Sequence, residues 1–216
     1  LFADKTVANN KAVTISGLAL SGADAGNYTV TDASNATANI TAKPITATGV
    51  TAVNKIYNAN TVATLNTGLA AITAGATADD DKKYYDGDTV ILEKAGATGA
   101  FADKTVANNK AVTISGLTLS GEDAGNYTVT DNSGATANIT AKAITSTGIT
   151  ASNKVYNANT VATLNTGTAV LTGGAVADDD NKYYTGDTVT LDTSGAAGLF
   201  ADKTVANNKA VTISGL

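Results

Sequence analysis

Aspartate is the side chain best supplied for chemistry in this sequence. Asp79, Asp80 and Asp81 are followed closely by Asp86 and Asp88, and a second set comprises Asp178, Asp179, Asp180 and Asp187. Clustered carboxylates suit Ca2+, a hard cation that takes roughly six to eight oxygen ligands. The spacing is not that of an EF-hand loop, which needs oxygens at set positions and a bidentate Glu at its twelfth. The plainer reading is a solvated acidic turn, with Ca2+ as the one cofactor worth testing. Beside each set lies a tyrosine pair, Tyr84-Tyr85 and Tyr183-Tyr184. In a strand one member of each pair points outward, where it suits contact with a glycan or a protein. Packing within the domain, or cover for a domain joint, is the plainer alternative. Catalysis has little else to use. The chain holds no His, Cys or Arg, which excludes Ser/His/Asp and Cys/His arrangements. Acidic loops in a repeat array are ordinarily solvated turns, so the chain reads as a non-enzyme.

The elements that must hold these groups are strands. In residues 111–115 Val112 and Ile114 share one face while Thr113 and Ser115 take the other, the two-residue period of a half-buried strand. A cluster of turn formers follows at 120–125, and then Tyr127-Thr128-Val129 alternates again. This stretch resembles the E strand, E–F corner and F strand of an immunoglobulin-like sandwich, where a Tyr near the start of strand F closes the corner through its hydroxyl. Asp123, Gly125 and Tyr127 fit that pattern, and Asp24, Gly26 and Tyr28 fit it again. A structural corner explains these residues better than a cation loop does.

Composition agrees. All 14 basic residues are Lys, only Glu93 and Glu122 among the 19 acidic residues are Glu, and Thr, Val, Asn, Asp and Gly abound. That is an all-β, turn-rich inventory. A net charge of −5 with 43% hydrophobic residues argues against disorder. No apolar run reaches the roughly 18 residues of a membrane-spanning helix. The acidic balance without Arg argues against nucleic acid, which needs cations to neutralise phosphates. No Met is present, so the sequence reads as an internal piece of a longer chain.

The segment FADKTVANNKAVTISGL occurs unchanged at residues 2–18, 101–117 and 200–216, both offsets being 99 residues. That period matches one sandwich domain of about 100 residues, whereas solenoids usually repeat every 20–50. A faint shorter echo keeps a β-helix as the alternative fold. The expected division is therefore 1–42 as the C-terminal part of one repeat, 43–141 as a complete repeat, and 142–216 as the N-terminal part of the next. The short junction at 42–44 predicts repeats set end to end with little freedom. Within the complete repeat, Val90 and Leu92 match Val189 and Leu191 while Ile91 is replaced by Thr190. Residue 91 is thus expected to face outward. Lys43 with Asn138 is a formal candidate for an intramolecular Lys–Asn cross-link, though nothing in the spacing compels it.

The ordered motifs point to a family. Residues 50–57 read VTAVNKIY, residues 87–92 GDTVIL, residues 110–117 KAVTISGL and residues 119–128 LSGEDAGNYT. As a set they resemble the YDG-type repeats of large bacterial exoproteins of the filamentous-haemagglutinin and adhesin kind. The family's Tyr-Asp-Gly turn stands here as Tyr57-Asn58-Ala59 and Tyr156-Asn157-Ala158. Loss of the Gly implies a different turn geometry at that corner. The literal Tyr85-Asp86-Gly87 lies elsewhere and becomes Tyr184-Thr185-Gly186 in the next copy. The resemblance implies immunoglobulin-like sandwiches in tandem, serving as a stalk or filament segment on a bacterial cell surface or in an extracellular matrix, with no catalytic residues. Its alternatives are an adhesin module that binds carbohydrate or protein through the Tyr/Asp loops, and a self-associating polymer of a sheath or matrix. The partners expected are neighbouring repeats, other copies associating laterally, and a glycan or protein ligand.

Overall fold

The computed structural model describes residues 1–75, 82–174 and 181–216. The chain is all-β, with only two 3-10 turns interrupting the strands among the described residues. It divides into two compact units. The first contains Leu1–Val53, Val62–Ala102 and Asn109–Ala137; the second contains Asn54–Thr61, Asp103–Asn108 and Asn138–Leu216.

In the first unit the alternating residues form an antiparallel ladder. Strand Thr98–Phe101 lies against Ala107–Ser115, with Phe101 opposite Val112 and Gly99 opposite Ile114. Val62–Ala63 pairs on its other side. Gly99 is required there by space: a Cβ would stand 2.6 Å from Leu65 Cδ2 and 3.0 Å from the Ala63 carbonyl oxygen. Strand Lys43–Ala47 runs parallel to Tyr127–Asp131, with Val129 beside Ile45. Ile91–Glu93 pairs with Thr118–Ser120, placing Leu92 opposite Leu119.

The period-two pattern fixes which faces are buried. Ile45 and Ala47 are fully buried, and Val90 and Leu92 are buried while Ile91 is 54% exposed, in keeping with its replacement by Thr190. Two clusters result. One gathers Ala47, Val50, Ala70 and Leu92; the other gathers Ile45, Val90 and Tyr127. Both are aliphatic apart from that tyrosine.

The second unit uses the same local sequences with a thinner core. Ala197–Phe200 lies between Val161–Ala162 and Val211–Ser214, and Thr150–Ala151 pairs with Leu164–Asn165. Ser146–Thr147 pairs with Val170–Leu171, and Gly173–Gly174 runs parallel to Tyr183–Tyr184. Lys55–Ile56 runs parallel to Ile139 and Thr140. Apart from Ile139 and Ala162, the buried apolar residues described all belong to the first unit.

The corner that carries Tyr-Asn-Ala departs from expectation. Ala59 has φ 60° and Ala158 has φ 63°, the left-handed region that Gly occupies readily. The turn keeps a backbone suited to the absent Gly, and Ala bears a steric cost of about 1–2 kcal/mol for it. The Asn-Asn pair of the conserved-length segment behaves in kind: Asn10, Asn109 and Asn208 all have φ 53°, which Asn tolerates better than most residues.

Candidate functional site

One polar constellation occurs twice, once within each unit. In the first unit Lys5 donates to Asp88 Oδ1 at 2.6 Å and lies 3.6 Å from Asp123 Oδ1. The Tyr127 hydroxyl donates to Asp88 Oδ2 at 2.6 Å and accepts from the Tyr85 backbone N–H at 3.0 Å. Asp123 Oδ2 accepts from the Thr89 N–H at 2.9 Å, and the Asp123 N–H returns a bond to the Thr89 carbonyl at 3.2 Å. Asn126 Oδ1 takes the Val7 N–H at 3.0 Å. The segment Lys5-Thr6-Val7 is therefore gripped by the Gly-Asp-Thr turn and by the 3-10 turn Ala124–Asn126.

Electrostatics follow from that geometry. The Lys5 ammonium, and then the Tyr127 hydroxyl, hold the Asp88 carboxyl below its ordinary value. Asp88 in turn raises Lys5. Burial pushes the Tyr127 phenol up to about 12, with the adjacent Asp88 charge adding to it. The Tyr127 hydroxyl thus reaches 39 residues upstream to a side chain and 42 to backbone, rather than to the backbone a few residues away. The reason is its 6% exposure: the ring enters the core beside Ile45 and Val90, and its hydroxyl emerges at the Asp88 turn.

In the second unit Lys104 donates to Asp187 Oδ1 at 2.6 Å, with the same separation of 83 residues as Lys5 and Asp88. Oδ2 is again taken by a phenol, but it is that of Tyr57, at 2.6 Å. Lys104 Nζ lies 5.7 Å from the Tyr57 ring centroid, and Tyr57 meets Tyr184 edge-on at 5.9 Å. Lys104 and Tyr57 hold Asp187 below its ordinary value, while Asp187 raises Lys104.

The candidates from sequence divide accordingly. Asp88, Asp187, Asp123, Gly125 and Tyr127 stand in or beside these constellations. Asp86 is exposed on the turn, and Asp79, Asp80, Asp81, Asp178, Asp179 and Asp180 lie outside the described residues. Among the described residues no three carboxylates come close enough to hold a metal ion, and the oxygens of Asp88 and Asp187 already face an ammonium. Tyr84, Tyr85, Tyr183 and Tyr184 are half-buried, with Lys43 Nζ 4.2 Å from the Tyr85 centroid and Lys142 Nζ 5.0 Å from that of Tyr184. Lys43 also donates to the Lys83 carbonyl at 2.7 Å. Asp24, Gly26 and Tyr28 form the turn of their twin but leave Tyr28 71% exposed.

Sequence reasoning passed over Lys5, Lys104 and Tyr57. A usable signal was present: Asp88 returns as Asp187 whereas Asp86 becomes Thr185, so only the former pair repeats. A groove of about 990 Å3 in the second unit, lined by Lys154, Tyr156, Asn159, Phe200 and Lys209, runs between the counterparts of Lys55–Ile56 and Ala107–Ser115, the strands that hold Thr136–Thr140 between them. Tyr156 is 57% exposed there.

The family described as YDG domain matches residues 1–37, 41–135 and 140–216, and the chain belongs to that family. Neither the curated proteins nor the solved structures contain a match. Its membership agrees with a non-catalytic protein and supports a structural, extracellular role at a bacterial surface. No helix among the described residues is long and apolar enough to cross a membrane.

Proposed function

We propose that this YDG-family chain is a non-catalytic segment of a secreted bacterial adhesin or surface filament. In it tandem 99-residue repeats, bounded as 43–141 is, act as immunoglobulin-like sandwiches that set distance from the cell. The observation that carries the reading is the recurring Lys–Asp contact at a separation of 83 residues. Its lysine belongs to one sequence period and its aspartate to the following one. An array built this way couples each repeat to the next through a phenol-backed ion pair, so the repeats add in series. Small-angle scattering on chains of two, three and four repeats tests it. The maximum dimension is expected to rise by an equal increment per repeat, and a compact globule whose size grows only slowly with repeat number refutes it.

A further inference from the structure

Residues 4–11 fold into a braced loop. Asp4 Oδ1 accepts the Thr6 N–H at 2.8 Å, the Thr6 hydroxyl and the Lys11 ammonium. Lys11 Nζ donates in addition to the Thr6 carbonyl at 2.9 Å and the Asp4 carbonyl at 3.2 Å, so one ammonium ties the loop to itself along its length. The brace recurs with the sequence. Asp202 Oδ1 takes the Thr204 N–H at 2.7 Å and the Lys209 ammonium, and Asp103 Oδ1 takes the Thr105 N–H at 2.8 Å. The two lysines of the loop are placed in opposite ways. The Lys11 side chain is 10% exposed and turned into the loop, whereas that of Lys5 is 70% exposed and turned out of it, to Asp88.

The charges explain the arrangement. Asp4 adjoins Lys5 in sequence and competes for its ammonium. Lys11 occupies that carboxylate instead and, with Thr6, holds it well below the usual carboxylate range. Lys5 is left to face the two carboxylates of the acceptor, Asp88 at 2.6 Å and Asp123 at 3.6 Å. Both are largely out of water, with side chains 10% and 20% exposed, and a cation relieves their mutual repulsion. Val7 is the second point of contact. Its N–H reaches Asn126 Oδ1 at 3.0 Å, which requires the loop's backbone to be in place as well as its lysine. A loop already shaped when it meets its acceptor loses less conformational entropy in the contact.

We propose that loop 4–11 is a preformed key by which one repeat engages the next. Asp4 and Lys11 are its positioning residues, Lys5 and Val7 make the contact, and Asp88, Asp123 and Asn126 receive it. The partner is thus a lysine-tipped loop of the preceding 99-residue period, and the brace, which touches none of the acceptor groups, decides where that lysine points. The second copy of the loop acts in the same way: beyond the Asp103–Thr105 turn, Lys104 donates to Asp187 at 2.6 Å. The key deepens the series coupling proposed above and rests on it for the assignment of loop and acceptor to successive repeats.

Carboxyl-carbon NMR of the intact 216-residue chain, followed at Asp88 through an acid titration, tests the proposal. Lys5→Met is expected to raise the Asp88 pKa toward the ordinary carboxylate value, because the Lys5 ammonium is the main cause of its lowering. Lys11→Met alters no group in contact with Asp88, yet is expected to reproduce at least about half of that rise by freeing Asp4 to draw Lys5 away. Lys11→Arg is expected to return most of it. Lys5→Met combined with Lys11→Met should raise Asp88 no further than Lys5→Met alone. Hydrogen exchange at the Val7 amide is expected to quicken at least about tenfold in Lys11→Met. Lys11→Gln, which keeps a donor for the Thr6 carbonyl but no charge, gives the same sign should Lys11→Met not fold. The proposal is overturned if Asp88 keeps its parent value in both neutral Lys11 variants, or if the Lys5 and Lys11 changes add independently. Loss of the equal scattering increment with these titrations as expected refutes the series reading alone. An increment that persists while Asp88 is indifferent to Lys11 refutes the key alone.

Discussion

Tyr127→Phe removes one oxygen atom from the centre of the first-unit constellation, and its consequences can be worked through. The phenol donates to an ionised carboxylate at 2.6 Å, and it accepts from the Tyr85 N–H at 3.0 Å. A hydrogen bond to a charged group contributes about 1.5–3 kcal/mol, and a buried donor left without a partner costs about 1–3 kcal/mol. The two are not fully additive because both bonds share one hydroxyl and are part-buried, so a loss of about 2–4 kcal/mol is expected. The ring still fills its place beside Ile45 and Val90, so no cavity contributes. For a unit of this size that corresponds to a fall in melting temperature of roughly 8–15 °C. The control is built into the sequence: Tyr28→Phe makes the same change in the same local motif, where the ring is 71% exposed. It is expected to stay within about 0.5 kcal/mol of the parent. Urea titration of the three proteins, with equal slopes as the check on two-state behaviour, measures both. Acid should erase the contrast. The Asp88 carboxyl is held low in the folded chain, so its contribution is complete above the ordinary carboxylate range and fades as pH falls through the lowered value. Equal costs for the two substitutions, or a Tyr127→Phe cost under about 1 kcal/mol, would refute the reasoning.

Three further outcomes follow from the same structure. Tyr127 is raised to about 12, so the stability it contributes is complete below the ordinary phenol value of 10.0 and is lost as pH climbs through about 12; alkaline unfolding followed at the tyrosinate absorbance should show this component, and Tyr127→Phe should lack it. Gly99→Ala pushes a methyl into Leu65 and the Ala63 carbonyl and is expected to cost about 1–3 kcal/mol, whereas Gly125→Ala, with open space around its Cβ, should be near neutral by calorimetry. Ala59→Gly relieves a left-handed alanine at φ 60° and is expected to stabilise by about 0.5–1 kcal/mol, visible as a raised denaturation midpoint with unchanged slope.

Much of this protein could be read along the chain because the signals are local. Alternation at Val112 and Ile114 depends only on neighbours two residues apart, and it yields strand Ala107–Ser115 with Val112 buried. The exchange of Ile91 for Thr190 between copies identified an outward position in the same way. The absence of His, Cys and Arg removed the common catalytic arrangements, and the ordered motifs led to the family. Asp88 and Asp187 were legible as candidates, but the chemistry first attached to them was a cation's. The ammonium that faces them comes from 83 residues away, and no local pattern carries that distance.

Which edges meet was left to the tertiary structure. The identical segment at 2–18, 101–117 and 200–216 shows this most plainly. Its second copy makes Ala107–Ser115 between Thr98–Phe101 and Thr136–Thr140, while its first makes Ala8–Ala12 against Thr37–Ile40 and its third makes Val211–Ser214 against Ala197–Phe200, the counterparts of those same two partners. The same residue is buried as Val112 but only half-buried as Val13 and Val211. Side-chain direction along a strand is set by the backbone's own two-residue period, and a sequence states that in full. Burial is set by whether another strand arrives to cover the face, and that depends on chain many tens of residues distant.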